Sequence, residues 1–416
     1  MGEGVRKYFS DSKYVFLNSI LERATFFIFY LILARTISKT DFGIVTTIFS
    51  FINILQAIFD FGFPFYLQRE AATGNDFQKK LNTVLVVKLI SFFLFILIPL
   101  IYFSFAQTVN YRLVILISFS NFLMSLSLIF TLVLYGKNLY KNSFILLSIS
   151  RVTFFIVLLI LLLLNLGLEV LLLAFIFSSV VYFIALIAPL KKIDVKINLK
   201  LFSFSELKEI ARSSLPMGVG LIFVMMYDRI DILLIQQIID YKAVAVYSIA
   251  YSLYRALQIF SSAIVIPAYG DYSSHYFKNG SLPLVRIKKD FGLLLIMSLS
   301  LIITAFILSD PIVRFFYGDK YFSSIEILKY LSLALPAIFL NNFTGVISNS
   351  IRKEYIPVIS TGSAVLVNIL LNIVLLKTMG ILGAVIATII TEFIVFFVQL
   401  YFLTVAYNKK EFFVYE

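Results

Sequence analysis

Twelve stretches of mostly apolar residues follow one another along this chain, each near the roughly 20 residues that a helix needs to cross the hydrocarbon core of a bilayer. They cover residues 14–36, 43–66, 82–105, 111–135, 144–164, 168–190, 213–238, 244–268, 291–310, 325–348, 357–377 and 381–406. In hydrocarbon every backbone N–H and C=O must be satisfied within the protein, so runs of this length fold as helices. The expected fold class is an all-α polytopic membrane protein with about 12 transmembrane helices. Composition agrees: 61% of the 416 residues are hydrophobic and 14% are charged, against about 25% charged in an ordinary globular chain. There is no tryptophan, so the interfacial aromatic belts fall to the 24 Tyr and some of the 45 Phe.

Charge in the connections tests the count. With the N-terminus in the cytoplasm, the cytoplasmic connections and termini hold 22 Lys and Arg, and the opposite side holds 7. That bias supports twelve helices with both termini inside. The first 13 residues are polar and basic, and the run behind them lacks a small-x-small cleavage site. This predicts a retained first helix rather than a removed signal peptide. The thinnest boundary is Asn165–Gly167, between the fifth and sixth spans. The longest and most basic connection, Lys191–Arg212, separates two sets of six helices. The expected domains are therefore an N-terminal six-helix lobe over 1–190, a basic cytoplasmic linker over 191–212 and a C-terminal six-helix lobe over 213–416. Within the linker, Ser203-Phe-Ser-Glu206 reads either as a capping box opening a short amphipathic helix or as part of a basic strip beside anionic lipid. The openings of the second and eighth helices, Asp41–Ser50 and Ala243–Ala250, echo each other, as internal repeats of transporters do.

Six basic side chains interrupt the spans: Arg23, Lys88, Arg151, Arg229, Arg255 and Lys329. A charge at mid-bilayer costs about 2.5–3.5 kcal/mol on insertion scales, so six facing lipid would cost on the order of 15–20 kcal/mol. Most must face water, a carboxylate or an anionic ligand, which points to a polar, positively biased cavity. On the eighth helix Ser248, Tyr251, Arg255, Gln258 and Ser262 recur at spacings of three and four and share one face. The second helix aligns Asn53, Gln56 and Asp60, and the first carries Asn18, Glu22, Arg23 and Tyr30. The seventh carries Tyr227, Asp228, Arg229 and Asp231. Asn341 and Asn342 lie on the tenth, Asn368 and Asn372 on the eleventh, and Thr388, Glu392 and Gln399 on the twelfth.

A structural reading stands beside each group. Glu22–Arg23 and Asp228–Arg229–Asp231 also read as internal ion pairs. Asn368 and Asn372 read as interhelical glue, each bond contributing about 0.6 kcal/mol. Arg151 and Lys329 lie close enough to helix ends to snorkel to the interface. Arg255 resists these readings, because its helix has no acidic residue of its own; its burial most demands an anion. The expected cationic site therefore comprises Arg23, Arg255, Arg229 and Lys88 with Tyr251, Gln258, Asn53 and Gln56. Planar guanidinium forks suit phosphate and pyrophosphate. Asp60, Glu392 and Asp231 are the candidates for a coupling proton or sodium ion.

Other chemistry is poorly supplied. The chain has no cysteine and one histidine, His275, in a predicted loop. No disulfide, thiolate or histidine-rich metal site is expected. No phosphate-binding Gly-rich loop with a following Lys is present, and the longest connections are about 20 residues. Neither ATP-driven pumping nor an enzyme is expected, and no cofactor. The net charge of +12 reads as positive-inside bias rather than nucleic-acid binding.

Local motifs carry a resemblance. Asp41-Phe-Gly43 opens the second helix, and Asp60-Phe-Gly-Phe through Gln68-Arg-Glu-Ala71 closes it. Leu215-Pro216 and Asp228-Arg-Ile-Asp231 lie on the seventh helix, Phe316-Tyr-Gly-Asp-Lys-Tyr321 lies between the ninth and tenth, and Gly380-Ile-Leu-Gly-Ala-Val-Ile-Ala-Thr388 opens the twelfth. In this order, over essentially the whole length, the chain resembles the Wzx-type polysaccharide flippases of the multidrug/oligosaccharidyl-lipid/polysaccharide exporter superfamily. The resemblance implies two six-helix lobes around a central cavity, working by alternating access. It implies a bacterial cytoplasmic (inner) membrane protein that moves polyprenyl-pyrophosphate-linked oligosaccharide, an O-antigen or capsule repeat, to the outer leaflet. Arg23 and Arg255 match the family's cavity arginines of the first and eighth helices; the second helix departs, offering Asp60 and no deep arginine. Membrane lipid is a partner on this reading, and H+ or Na+ and a polysaccharide polymerase are candidate partners. The rival readings are a cation-coupled drug exporter of the same superfamily, which favours an acidic cavity, and a non-transporting membrane scaffold, whose polar stripes are packed shut.

Overall fold

The computed structural model describes residues 3–74, 77–105, 109–164 and 166–408, with side chains described from Lys13 to Tyr407. Among the described residues there are fifteen α-helices, three short 3-10 turns and no strand. The first six helical stretches are α1 (Glu3–Thr36), α2 (Lys39–Asp60) with α3 (Phe63–Thr73), α4 (Phe77–Ser104), α5 (Tyr111–Gly136), α6 (Tyr140–Leu163) and α7 (Leu168–Lys192). The second six are α8 (Phe204–Ile238), α9 (Tyr241–Leu257) with α10 (Ser262–Asn279), α11 (Leu284–Tyr317), α12 (Ser323–Ser332) with α13 (Leu335–Ser350), α14 (Tyr355–Met379) and α15 (Ile381–Asn408). Ten of these stretches are long and apolar enough to cross a bilayer, and the pair α12–α13, bent by 46°, makes an eleventh. The remaining expected span, 213–238, lies within α8. The chain is thus a polytopic helical membrane protein.

Three local expectations change. The second span does not run through residue 66, because Phe61 (φ 43°) and Gly62 (φ 75°) break it. Gly62 tolerates that left-handed backbone, and Pro64 restarts the helix in its first turn, where a missing N–H costs nothing. The short helix expected near Ser203 is not separate: it forms the first turns of α8, which continues through Pro216. Glu206 closes no capping box; its carboxylate takes Lys79 at 2.8 Å instead. His275 lies on α10, which extends to Asn279, rather than in a loop. The boundary between the fifth and sixth spans falls between Leu163 and Leu168, with Asn165 itself outside the described residues.

Contacts divide the chain into two compact units, Met1–Leu33 with Ile48–Met225, and Ala34–Thr47 with Met226–Glu416. In the first, α5 packs on α3, α4 and α7, and α6 packs on α7. Lipid tails are as apolar as leucine, so helices associate through close packing and buried hydrogen bonds rather than hydrophobic expulsion. Small hydroxyls supply those bonds: Ser150 Oγ meets Ser178 Oγ at 2.8 Å, Ser120 Oγ meets Ser179 Oγ at 2.9 Å, and Thr131 Oγ1 meets Tyr182 OH at 2.8 Å.

In the second unit α14 and α15 form a tight antiparallel pair, α13 packs on α10, α11 and α15, and α9 packs on α12. Two of the family-like motifs meet there. Phe42 packs edge-on against Tyr321, with ring centroids 6.1 Å apart. Arg35 Nε donates to Phe316 O at 2.7 Å, and Lys320 Nζ donates to Ile37 O at 2.8 Å. Lys320 thereby supplies donors near the carbonyl end of α1, where a cation is favoured. Burial, with Lys39 nearby, pushes the Lys320 ammonium below its ordinary value. Gly43 explains the glycine of the first motif: an added Cβ would lie 1.8 Å from the Tyr241 carbonyl oxygen.

Candidate functional site

The densest polar cluster is in the second unit. On α8, Asp228 and Asp231 are one turn apart and buried. On α9, Tyr247, Tyr251 and Arg255 repeat every four residues, so all three address the same face of α8. Tyr247 and Tyr251 are stacked, with centroids 5.6 Å apart and planes at 17°. The two acids then part company. Asp228 Oδ1 lies 2.9 Å from Arg255 Nη1 and accepts from Tyr251 OH at 3.0 Å, while its Oδ2 lies 3.1 Å from Arg229 Nε. Asp231 has no ion-pair partner among the described residues. Its Oδ2 accepts from Tyr247 OH at 2.8 Å and Thr388 Oγ1 at 3.0 Å, and its Oδ1 accepts from Asn372 Nδ2 at 2.8 Å. Asn372 is held in turn by Asn368 Oδ1 at 3.0 Å.

Glu392 occupies a neighbouring position on α15. Its Oε2 accepts from Asn341 Nδ2 at 2.6 Å, and no cation pairs with it among the described residues. Tyr227 OH donates to Thr391 Oγ1 at 3.3 Å, one residue away. Several buried polar atoms here have no protein partner among the described residues: Tyr254 OH, Gln258 Nε2, Ser248 Oγ, Asn341 Oδ1 and Asn372 Oδ1. The α9 stripe does not run unbroken to Ser262, because a 3-10 turn over Gln258–Ser261 tightens the helix and shifts the face.

The first unit handles its charges differently. Lys88 is buried, and its Nζ donates to Asp60 Oδ1 and to Ser125 Oγ, the latter at 2.9 Å. Ser125 Oγ donates to the same Asp60 oxygen at 2.6 Å, and Gln56 Nε2 donates to Asp60 Oδ2 at 3.2 Å. Lys88 and Asp60 thus neutralise each other within one buried network. Arg151 does not snorkel: it is 2% exposed, and its Nη2 lies 4.0 Å from Glu22, whose side chain is 48% exposed. Arg23 is exposed and forms no ion pair among the described residues, so Glu22 faces Arg151 rather than its neighbour in sequence. Asn53 is half-buried on α2 and joins none of these networks. Lys329 is half-buried on α12 beside Glu326 and Tyr330.

The structure therefore gathers Arg255, Arg229, Tyr251 and Asp231 from the expected site, with Gln258 one turn on. Lys88, Asp60 and Gln56 form a separate group in the first unit, where Arg23 and Asn53 also lie. Arg255 is not without an acid: Asp228, on the preceding helix, supplies it. Sequence spacing on one helix does not reveal a partner 27 residues away. Tyr247, Asn372 and Thr388 join the site as the shell of Asp231. Tyr247 had a legible signal, one turn before Tyr251 on the same stripe.

The model of the polysaccharide biosynthesis protein family matches residues 10–269, more than half the chain. The chain belongs to that family. No curated protein matches it by sequence. Among solved structures it is similar to the lipid II flippase MurJ in an inward closed conformation, at 18% identity over 95% of this chain and 87% of that one, with a TM-score of 0.74. It is similar to a multidrug resistance MATE family transporter of the MOP superfamily in an inward-facing conformation, at 16% identity over 95% of each chain, with a TM-score of 0.73. An outward-facing MATE structure aligns at 14% identity over 96% of this chain and 97% of that one, with a TM-score of 0.66. At these identities the likeness is one of fold, the polytopic fold common to those flippase and exporter structures. The family match and the fold together bear out the superfamily read from the motifs.

Proposed function

We propose that this family member is a flippase for polyprenyl-pyrophosphate-linked oligosaccharide in a bacterial cytoplasmic membrane, working by alternating access. The observation that carries the reading is Arg255: a guanidinium 50% exposed on the polar face of α9, in a span where lipid would not tolerate it. Its fork of donors matches a phosphate. Arg229 supports it on α8, and Tyr251 and Gln258 offer hydrogen bonds to sugar. Expression of Arg255→Ala and Arg255→Lys in cells that need the chain for surface polysaccharide tests the assignment. Export falls strongly in Arg255→Ala and less in Arg255→Lys; wild-type export in both overturns it.

Asp231 is the coupling site on this reading. A buried carboxylate without a counter-charge is stable in the membrane when a proton or a cation neutralises it. Turning the Asn372 amide by 180° presents its oxygen beside the carboxylate. With Thr388 Oγ1 and Tyr247 OH this makes an all-oxygen set suited to a sodium ion. Glu392 is a second candidate for a proton. Asp60 is the weakest of the three, because Lys88 already neutralises it.

A further inference from the structure

Arg255 and Asp228 are unequal partners. Asp228 is 8% exposed at its side chain, whereas Arg255 is 50% exposed. A buried carboxylate thus holds a guanidinium that is itself open to an incoming ligand. Asp228 does not depend on Arg255 alone. Arg229 Nε stands 3.1 Å from its other oxygen, and Tyr251 OH donates to the first at 3.0 Å. Removing one partner of a buried ion pair is normally forbidding, because it strands a charge in low dielectric. Here Arg255 can turn away and leave the carboxylate with one cation and one phenol donor.

We propose that Asp228 is an internal stand-in for the substrate's phosphate, displaced from Arg255 when the anionic head group binds. The inference rests on the head-group role of Arg255 given above. It makes Asp228 the residue that sets the affinity threshold of the site. A ligand must outcompete a carboxylate already at 2.9 Å. A weakly charged anion fails to do so, and a pyrophosphate, with more charge and more acceptor oxygens, succeeds. The resting arrangement therefore raises the affinity any anion needs, and weak binders such as orthophosphate and chloride leave the site to Asp228.

The test is a calorimetric titration of the purified protein in lipid nanodiscs with inorganic pyrophosphate and, separately, orthophosphate. Asp228→Asn keeps the shape and removes the competing charge. It is expected to tighten pyrophosphate and orthophosphate binding alike, each by about tenfold or more, the scale of one lost ion-pair competitor. Glu326→Gln removes the same charge from the exposed surface of α12 in the same unit without touching Arg255 and is expected to change affinity far less. Equal tightening in both variants reduces the effect to net charge and overturns the proposal. So does wild-type affinity in Asp228→Asn. Should Asp228→Asn not fold, Tyr251→Phe decides: it deletes the phenol donor, leaves Asp228 leaning harder on Arg255 and weakens pyrophosphate binding several-fold; unchanged or tighter binding overturns the proposal. Arg255→Ala separates the two levels. If it binds pyrophosphate like the wild type, the head-group role fails and the displacement with it. If it loses binding while Asp228→Asn gains none, the displacement alone fails.

Discussion

Lys88→Met is expected to destabilise the protein strongly, and a compensating change at Asp60 to recover much of the loss. Lys88 is 1% exposed and Asp60 7%, so neither charge has access to water. Breaking a buried pair from one side costs about 3–5 kcal/mol, because the remaining charge is stranded. In Lys88→Met the stranded group is the carboxylate, which keeps Ser125 at 2.6 Å and Gln56 at 3.2 Å. Hydrogen bonds to a charged group contribute about 1.5–3 kcal/mol each, so this loss belongs near the lower end, about 3 kcal/mol. In Asp60→Asn the stranded ammonium keeps Ser125 and the neutral amide oxygen, a poorer shell, and the loss is at least as large. The double variant Lys88→Met/Asp60→Asn strands nothing and is expected to recover at least about 2 kcal/mol relative to the sum of the singles. Unfolding in mixed micelles, followed by circular dichroism because the chain has no tryptophan, measures all four corners of the cycle. Singles within about 1 kcal/mol of the wild type, or strictly additive changes, refute a buried structural pair. A double variant that folds well yet no longer transports returns Lys88 to the substrate site.

Three further outcomes follow from particular contacts. Gly43→Ala drives a methyl to within 1.8 Å of the Tyr241 carbonyl oxygen and is expected to cost about 3 kcal/mol or more, read as a loss of folded protein in membranes; wild-type yield and melting contradict the close approach. Arg151→Met replaces a guanidinium whose Nε and Nη2 lack hydrogen-bond partners, and its partner Glu22 is half-exposed, so stability is expected to stay level or rise by about 1 kcal/mol; a loss above about 2 kcal/mol contradicts this. Sodium chloride is expected to raise the melting temperature above that in choline chloride at equal ionic strength, and Asp231→Asn to abolish the difference; a sodium effect that survives in Asp231→Asn removes the ion from that carboxylate.

The spans were legible because partition into lipid is a local, nearly additive property of about 20 residues, and α4, α5, α6 and α7 fall where the apolar runs lie. Helix ends were less so. Nothing in Ser203–Arg212 breaks a helix, and Glu206 in the first turn of α8 meets Lys79 on α4, far away in sequence. The pairing of charges was the least legible. Lys88 with Asp60, Arg151 with Glu22 and Arg255 with Asp228 each join different helices, so the register between helices decides them and no spacing on one helix carries it. Asn372 illustrates the limit. A buried asparagine reads as interhelical glue until Asp231 is seen 2.8 Å away.

On the proposed function, Arg255 receives the pyrophosphate of a lipid-linked glycan. The direct measurement is the initial rate of flipping of a polyprenyl-pyrophosphate-linked oligosaccharide in proteoliposomes, wild type against Arg255→Ala, at matched reconstitution. At least about a tenfold slower rate is expected for Arg255→Ala, the scale of one lost charge-assisted contact to phosphate. Equal rates contradict it.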